Sequence, residues 1–220
     1  MPTALIVGAS RGIGLELCRQ LSARGVQVIA TCRGESVALD ALGVQVQRGV
    51  DVRSSESLEA LAEALAGRPL DLLIHNAGIL RPDTLENFDF EALREQFEIN
   101  ALGPLRSVRA LLPLLRRGSK IALLTSRMGS IADNSSGGSY GYRMSKAALN
   151  MAGVSLAQDL RSRGIAIALL HPGYVRTEMT GHRGQSEPQD AARGLLRQID
   201  ALSLDRSGIF CHAEGQELPW

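Results

Sequence analysis

Tyr142 and Lys146 are four residues apart, so on a helix their side chains lie next to each other on one face. A phenol with an ordinary pKa near 10 is a poor acid or base at neutral pH. An ammonium group about 4 Å away favours the phenolate by roughly 4 kcal/mol, or about three pKa units, at an effective dielectric constant of about 20. The pair is therefore predicted to donate and accept a proton, with Tyr142 as the general acid and base.

The alternative for this pair is a surface tyrosine beside a surface lysine. The chain has three tyrosines and only two lysines, Lys120 and Lys146, among 24 basic residues. A tyrosine four residues before a lysine is then expected by chance roughly 0.03 times. A lysine at this position in an arginine-rich chain favours the functional interpretation.

A glycine-rich loop follows a short apolar run near the start of the chain and precedes apolar residues at helical spacing. Glycines in that context allow a tight turn and close approach of a pyrophosphate, which the free N–H groups of the helix start then hold. The pattern predicts a dinucleotide site. The loop residues expected to touch the dinucleotide are Gly8, Ser10, Arg11, Gly12, Ile13 and Gly14.

The same loop also fits G-x-S-x-G, the nucleophile elbow of a class of hydrolases, with Ser10 as nucleophile. That elbow follows several strands and an oxyanion loop, whereas only seven residues precede Gly8. The hydrolase alternative is therefore disfavoured.

The residues after the second and third predicted strands indicate which dinucleotide binds. A free ribose 2′-hydroxyl calls for an acid at the end of the second strand, but Arg33 stands there, and Glu35 comes two residues too late. Arg33 and Arg11 offer two guanidinium groups to a 2′-phosphate, which favours NADP(H) over NAD(H). Asp51, with its neighbour Val52, is expected at the adenine; the alternative is an ordinary strand-end turn.

The elements that position these residues alternate between strand and helix. Strands are predicted at 4–7, 26–31, 44–50, 71–75, 121–125, 165–170 and 208–212, and helices at 13–24, 54–65, 90–115 and 142–163. The alternation predicts an α/β, Rossmann-like doubly wound fold, with a mainly parallel sheet and helices on both faces. Residues 1–220 are expected to form a single dinucleotide-binding domain, with the site at the carboxyl ends of the strands.

The composition excludes several other classes of protein. The net charge of +1 gives no reason to expect a nucleic acid or a membrane surface as partner. The cysteines at 18, 32 and 211 have no metal-ligand spacing, so no metal site is expected. We expect all three to be reduced thiols in the core. With no leader pattern and no apolar run of about 18 residues, a cytoplasmic protein is expected.

The motifs, taken in order, resemble those of the short-chain dehydrogenase/reductase family over nearly the whole chain. They are the glycine loop, His75-Asn76-Ala77-Gly78, Asn100, Thr125-Ser126, Tyr142-x-x-x-Lys146 and the sequence Pro-Gly-Tyr-Val-Arg-Thr at 172–177. The residues at 126–131 and 141–146 are similar to the C-factor and Sniffer branch, which contains small carbonyl reductases and a protein known for intercellular signalling.

The resemblance implies NADP(H)-dependent hydride transfer between a nicotinamide and a carbonyl or secondary alcohol. It implies that Ser126 hydrogen-bonds the substrate carbonyl and Tyr142 passes the proton. Lys146 would bind the nicotinamide ribose and lower the tyrosine pKa, and Asn100 would support a water relay. The positions implied to line the cofactor groove, or to meet the nicotinamide amide, are Asn76, Ala77, Gly78, Pro172, Gly173, Val175 and Thr177.

Two departures from the family pattern need interpretation. His75 stands where an asparagine is usual and is interpreted as a tolerated core change. Ser126 lies 16 residues before Tyr142, somewhat more than usual, so Ser130, at 12 residues, is an alternative. The Thr-Ser pair at a strand end favours Ser126. His171 is interpreted as a strand-end histidine without a catalytic role.

Pro104 lies four residues after Asn100 and has no N–H for the Asn100 carbonyl. We expect a water at that carbonyl; the alternative is a packing kink.

The predicted partners are a small carbonyl or alcohol substrate and a second copy of the chain in a homodimer or larger homo-oligomer. The competing class is a nucleotide-binding signalling or redox-sensing protein of C-factor type with little turnover.

Overall fold

The computed structural model describes residues 1–220 and contains one seven-stranded sheet. Its strands are β1 (Thr3–Val7), β2 (Gln27–Thr31), β3 (Gln45–Gln47), β4 (Leu70–His75), β5 (Leu115–Leu124), β6 (Ala166–His171) and β7 (Ile209–His212). They lie in the order β3-β2-β1-β4-β5-β6-β7, and every neighbouring pair is parallel. The strand order reverses between β1 and β4, which opens a crevice at their carboxyl ends.

Seven helices join the strands. They are α1 (Gly12–Ala23), α2 (Val37–Asp40), α3 (Ser55–Ala64), α4 (Phe90–Phe97), α5 (Gly103–Leu111), α6 (Tyr140–Asp159) and α7 (Pro188–Asp200). No helix is both long enough and apolar enough to cross a lipid bilayer.

The sheet is covered on both faces, which is why β1, β6 and the second half of β5 are nearly continuous apolar runs. Along β1, Leu5 and Val7 belong to a core of 24 residues that includes side chains of α3, α5 and α6. Ala4 and Ile6 belong to a second core of 23 residues that includes side chains of α1 and α7. The predicted doubly wound α/β fold with a parallel sheet is confirmed.

The long helix predicted at 90–115 is wrong as a continuous element. Between α4 and α5, residues Glu98–Leu102 form a π-helical turn, in which the Gly103 N–H donates to the carbonyl of Glu98, five residues earlier. Pro104 then occupies the second position of α5, where a missing N–H costs little. Asn100 thus lies within the π-helical turn, four residues before this proline. The water at its carbonyl stays a prediction.

The sequence pattern did not indicate α7, although Pro188 opens it and Leu195, Leu196 and Ile199 recur at helical spacing on its buried face. α2, a single turn, was not predicted either. β5 begins at Leu115, six residues before the predicted start, and α6 begins at Tyr140, two residues before it.

Candidate active site

Tyr142 and Lys146 lie side by side on the buried face of α6, as their spacing predicts. The Lys146 Nζ is 5.8 Å from the centroid of the Tyr142 ring. The same Nζ donates to the carbonyl of Leu124, at 2.9 Å, where β5 ends. The helix thus lies across the carboxyl end of a central strand, and two donor positions of the ammonium remain for other partners.

The ionisation of the two groups differs from the expectation based on spacing alone. Burial raises the pKa of Tyr142 to about 12, against a smaller lowering effect of the Ser126 hydroxyl. Burial also lowers the pKa of Lys146 to about 8. In the protein alone the pKa of Tyr142 is thus shifted upward, opposite to the expected direction, because the phenol is withdrawn from water. The phenol is protonated at neutral pH, which suits a proton donor.

Ser126 lies two residues after the end of β5 and is buried, and its Oγ accepts from the Met128 N–H at 3.1 Å. The alternative residue, Ser130, has a different environment. Its hydroxyl donates to the Trp220 carbonyl oxygen at 2.9 Å and accepts from the Asp133 N–H. The Ser130 hydroxyl is thus engaged by the C-terminal residue and by Asp133, whereas a hydrogen bond between Ser126 and the phenol acts to lower the Tyr142 pKa. Ser126 stays the predicted partner of the substrate carbonyl, with Ser130 as the alternative.

Asn100 is fully buried in the π-helical turn, and its carboxamide makes three hydrogen bonds. The Oδ1 accepts from the Ile79 N–H at 2.8 Å, while the Nδ2 donates to the Ile79 carbonyl at 2.8 Å and to the Ser145 Oγ at 3.0 Å. The Ser145 hydroxyl in turn donates to the Tyr142 carbonyl. Asn100 therefore joins the loop after β4 to the helix that carries the tyrosine and the lysine.

Asp83 positions the start of α6, a role that the sequence did not reveal. The residue before α6, Ser139, has a left-handed φ of 49° and gives the helix no side-chain cap. Asp83 supplies the cap instead: its carboxylate accepts from the Tyr140 N–H at 2.6 Å and from the Gly141 N–H at 3.0 Å. A carboxylate at a helix N-terminus also interacts favourably with the helix dipole.

A cleft of about 400 Å³ opens at the carboxyl ends of β1, β2 and β4. The residues predicted to bind the cofactor that line it are Gly8, Ser10, Arg11, Gly12, Ile13, Arg33, Asp51, Val52, Asn76, Ala77, Gly78 and Thr177. The predicted residues that do not line it are Gly14, Pro172, Gly173 and Val175, together with Asn100, Ser126, Tyr142 and Lys146. Residues of the cleft wall that the sequence did not point to include Thr31, Ile79, Ile99, Glu178 and Met179.

The glycine loop fits a pyrophosphate for steric reasons. Gly8 and Gly12 have left-handed φ values of 82° and 57°, and a Cβ on Gly8 would lie 2.7 Å from the Cα of Ala77. A Cβ on Gly14 would lie 2.6 Å from the Asn76 Nδ2, so Gly14 allows close packing beneath the loop. Arg11, the residue before α1, makes no side-chain cap, which leaves the first N–H groups of the helix for an anion.

The charged residues at the cleft differ in whether they form ion pairs. Arg33 is exposed at the cleft wall and forms no ion pair, whereas Arg11 pairs with Glu178 at 3.1 Å. Glu35 is an exposed residue that pairs with Arg48 at 3.1 Å. Hydrogen bonds from the Arg53 side chain hold the pKa of Asp51 below its usual value.

The two histidines near the site are neutral. His75 ends β4, and burial, with a smaller effect of the Lys146 charge, lowers its pKa to about 3. The His75 Nε2 and the His171 Nδ1 are buried without a hydrogen-bond partner. Burial also lowers the pKa of His171 to about 3. Both are weak bases in these surroundings, which agrees with their interpretation as structural residues.

Residues 2–188 match the family model described as short chain dehydrogenase. The chain therefore belongs to the short-chain dehydrogenase family. It is an oxidoreductase of the class that acts on CH–OH or C=O groups.

Among curated relatives, the chain is similar to 1-hydroxy-2-glutathionyl-2-methyl-3-butene dehydrogenase of Rhodococcus sp. strain AD45, with 46% identity over 226 residues and 100% of both chains covered. It is also similar to C-signal of Myxococcus xanthus, with 47% identity over 166 residues, covering 74% of this chain and 100% of the relative.

Two solved structures share the fold over 100% of this chain. Carbonyl reductase Sniffer of D. melanogaster has a TM-score of 0.93 at 29% identity, with 100% of that chain covered. The NADPH-bound carbonyl reductase from chicken fatty liver has a TM-score of 0.91 at 32% identity, with 99% of that chain covered. The resemblance to the C-factor and Sniffer branch is thereby confirmed.

Proposed function

We propose that this protein is an NADP(H)-dependent carbonyl reductase that catalyses reversible hydride transfer to and from a small carbonyl or secondary alcohol. The observation that carries the proposal is the buried Tyr142–Lys146 pair, with Ser126 at the phenol and a glycine-lined cleft nearby. We take residues 1–220 as one domain acting in the cytoplasm, and a second copy of the chain as its partner in a homo-oligomer.

In the reductive direction, the Ser126 hydroxyl donates to the substrate carbonyl oxygen and polarises it. Tyr142 gives its proton to the oxygen as negative charge develops there, which its raised pKa permits at neutral pH. Lys146 holds a positive charge beside the phenolate that forms, and its two remaining donors would bind the nicotinamide ribose. Bound NADPH supplies the hydride from C4 of its nicotinamide.

The preference for NADP(H) is supported by Arg33, which has no ion-pair partner at the cleft wall, where an acid would serve NAD(H). Arg11 is the second cation, once it leaves Glu178. The chicken carbonyl reductase that shares the fold is described as NADPH-bound. We assign Asp51 and Val52 to the adenine side, and Pro172, Gly173, Val175 and Thr177 to the nicotinamide side.

The test of this proposal is steady-state oxidation of NADPH against a panel of carbonyl compounds. Tyr142→Phe is expected to lower kcat about 10²- to 10⁴-fold while NADPH still binds, because only the proton donor is lost. Tyr140→Phe, two residues earlier on α6, is the matched control and is expected to keep wild-type turnover. Full activity of Tyr142→Phe would refute the role of the phenol.

A second candidate function is favoured by the similarity to C-signal. In this alternative the protein binds the dinucleotide as a signalling or redox-sensing protein and turns over little substrate. It predicts NADPH binding of ordinary affinity with no turnover across the panel, and no effect of Tyr142→Phe on any readout. The complete set of Asn100, Ser126, Tyr142 and Lys146 favours the enzyme, since a pure binding protein needs no proton donor.

A further inference from the structure

We propose that Asn150 is a positioning residue that fixes the Ser126 hydroxyl relative to the Tyr142 phenol. The inference rests on the proposed function, because it acts through the roles assigned to Ser126 and Tyr142. Asn150 follows Lys146 by four residues on α6 and Tyr142 by eight, so the three side chains lie along one buried face of the helix.

The carboxamide of Asn150 bonds to both sides of Ser126. Its Oδ1 accepts from the Thr125 Oγ1 at 2.6 Å, one residue before Ser126. Its Nδ2 donates to the Gly129 carbonyl at 3.4 Å, three residues after Ser126. Asn150 and Thr125 are both buried, so water does not compete for these bonds.

Gly129 makes the same connection through backbone contact. A Cβ at this position would lie 2.7 Å from the carbonyl carbon of Lys146 and 2.9 Å from the backbone nitrogen of Ala147. The 3₁₀ turn Arg127–Gly129 therefore packs directly on the backbone of α6. This close packing and the bond from the Asn150 side chain both hold the turn against α6.

These contacts fix the distance between the Ser126 hydroxyl and the Tyr142 phenol, which the sheet alone does not fix. Ser126 lies just beyond β5, while Tyr142 lies on α6, and the two groups must meet one carbonyl oxygen together. Catalytic groups need alignment to roughly 0.5 Å, and misplacement by about 1 Å costs up to about 10²-fold in rate. The bonds from Asn150 connect the two elements next to the reacting groups.

The experiment compares Asn150→Ala and Thr125→Val with Thr125→Ser, which keeps the hydroxyl, and with Gln158→Ala, an exposed position on α6. We expect kcat to fall about 10- to 100-fold in the first two variants, with the Kd for NADPH within about twofold of wild type. Thr125→Ser and Gln158→Ala are expected to retain wild-type kcat. The primary isotope effect with nicotinamide-deuterated NADPH is expected to rise as hydride transfer becomes slower.

A double-mutant cycle with Ser126→Ala separates positioning from a structural role. If Asn150 acts through Ser126, then Asn150→Ala in the Ser126→Ala background lowers kcat by less than about threefold further. Equal loss in both backgrounds, or loss of stability with unchanged kcat, would overturn the inference. Should Ser126→Ala itself leave kcat unchanged, the proposed function fails instead. Thr125→Val keeps the question testable if Asn150→Ala does not fold.

Discussion

Arg11 in the glycine loop and Glu178 in the turn after β6 form an ion pair of 3.1 Å between two segments that line the cleft. Both side chains are more than half exposed, so the pair itself stabilises the protein little. Its effect is to occupy one of the two cations proposed for the 2′-phosphate.

Glu178→Gln should therefore release Arg11 and tighten NADPH binding. An exposed pair is worth about 0.2–1 kcal/mol, so the Kd is expected to fall by about 1.5- to 5-fold. Titration of NADPH fluorescence measures it. Asp190→Asn is the control, because Asp190 pairs with Arg193 in a comparably exposed ion pair and neither residue lines the cleft. Weaker NADPH binding by Glu178→Gln would contradict the prediction.

Arg33→Asp should reverse the preference between the two dinucleotides. Loss of a charged hydrogen bond to the 2′-phosphate costs about 1.5–3 kcal/mol, so kcat/KM with NADPH should fall about 10- to 100-fold. The introduced acid meets a free 2′-hydroxyl, so kcat/KM with NADH should hold or rise. Arg68→Asp, at an exposed arginine bonded to Gln45, should change neither value. Equal losses with both cofactors would exclude this role for Arg33.

Asp83→Ala and Asp89→Ala should separate stability from activity. Asp89 caps α4, as Asp83 caps α6, and loss of either cap is expected to lower the free energy of unfolding by about 1 kcal/mol. Only α6 carries Tyr142 and Lys146, so kcat should fall roughly tenfold in Asp83→Ala alone. Denaturant unfolding and steady-state assays provide the two measurements. An unchanged kcat in Asp83→Ala would show that this cap does not position the pair.

The free energy of unfolding should fall in mild acid. His75 and His171 have pKa values of about 3 in the folded protein, below the ordinary value near 6.5. The unfolded chain therefore binds more protons as the pH drops below 6.5, and each histidine is expected to remove about 2 kcal/mol between pH 8 and pH 5.

In unfolding titrations, His75→Asn should lose about half of that pH dependence, while His182→Asn, at an exposed histidine, should keep all of it. If the free energy of unfolding of His75→Asn and of the wild type depended on pH in the same way, His75 would be excluded as a source of the acid sensitivity.

Carbonyl reduction should slow in alkali because Lys146 has a pKa of about 8 in the protein alone. The kcat/KM for NADPH reports groups of the free enzyme, so it should be level near pH 7 and fall about fivefold between pH 8 and pH 9. Tyr142, with its pKa near 12, stays protonated over this range. A level profile up to pH 10 would contradict the lysine assignment.

Much of the fold follows from local pattern. The apolar runs before Gly8, His75 and Ser126 are strands buried on both faces, and such strands are recognisable without any knowledge of their neighbours. The spacing of Tyr142 and Lys146 likewise places both on one helical face. The pattern did not separate α4 from α5. The turn at Glu98–Leu102 between them has the amino-acid composition of a helix, but its backbone hydrogen bonds are π-helical.

The parts of the site that escaped prediction depend on contacts between distant segments. Asp83 bonds to N–H groups 57 and 58 residues away, and Asn150 bonds to Thr125, 25 residues away. No local pattern marks such partners. The pKa of Tyr142 differs from the expected direction for a related reason, since the spacing indicates the neighbouring charge but not the depth of burial.

The turn at Glu98–Leu102 amounts to one residue inserted into an otherwise α-helical path. Deleting a residue there would let α4 and α5 join as a more regular α-helix, in which Pro104 would still lack the N–H that bonds the carbonyl four residues earlier. It would also rotate Asn100 by about 100°, away from Ile79 and Ser145. The π-helical turn thus makes the backbone less regular, and it keeps Asn100 bonded to Ile79 and Ser145.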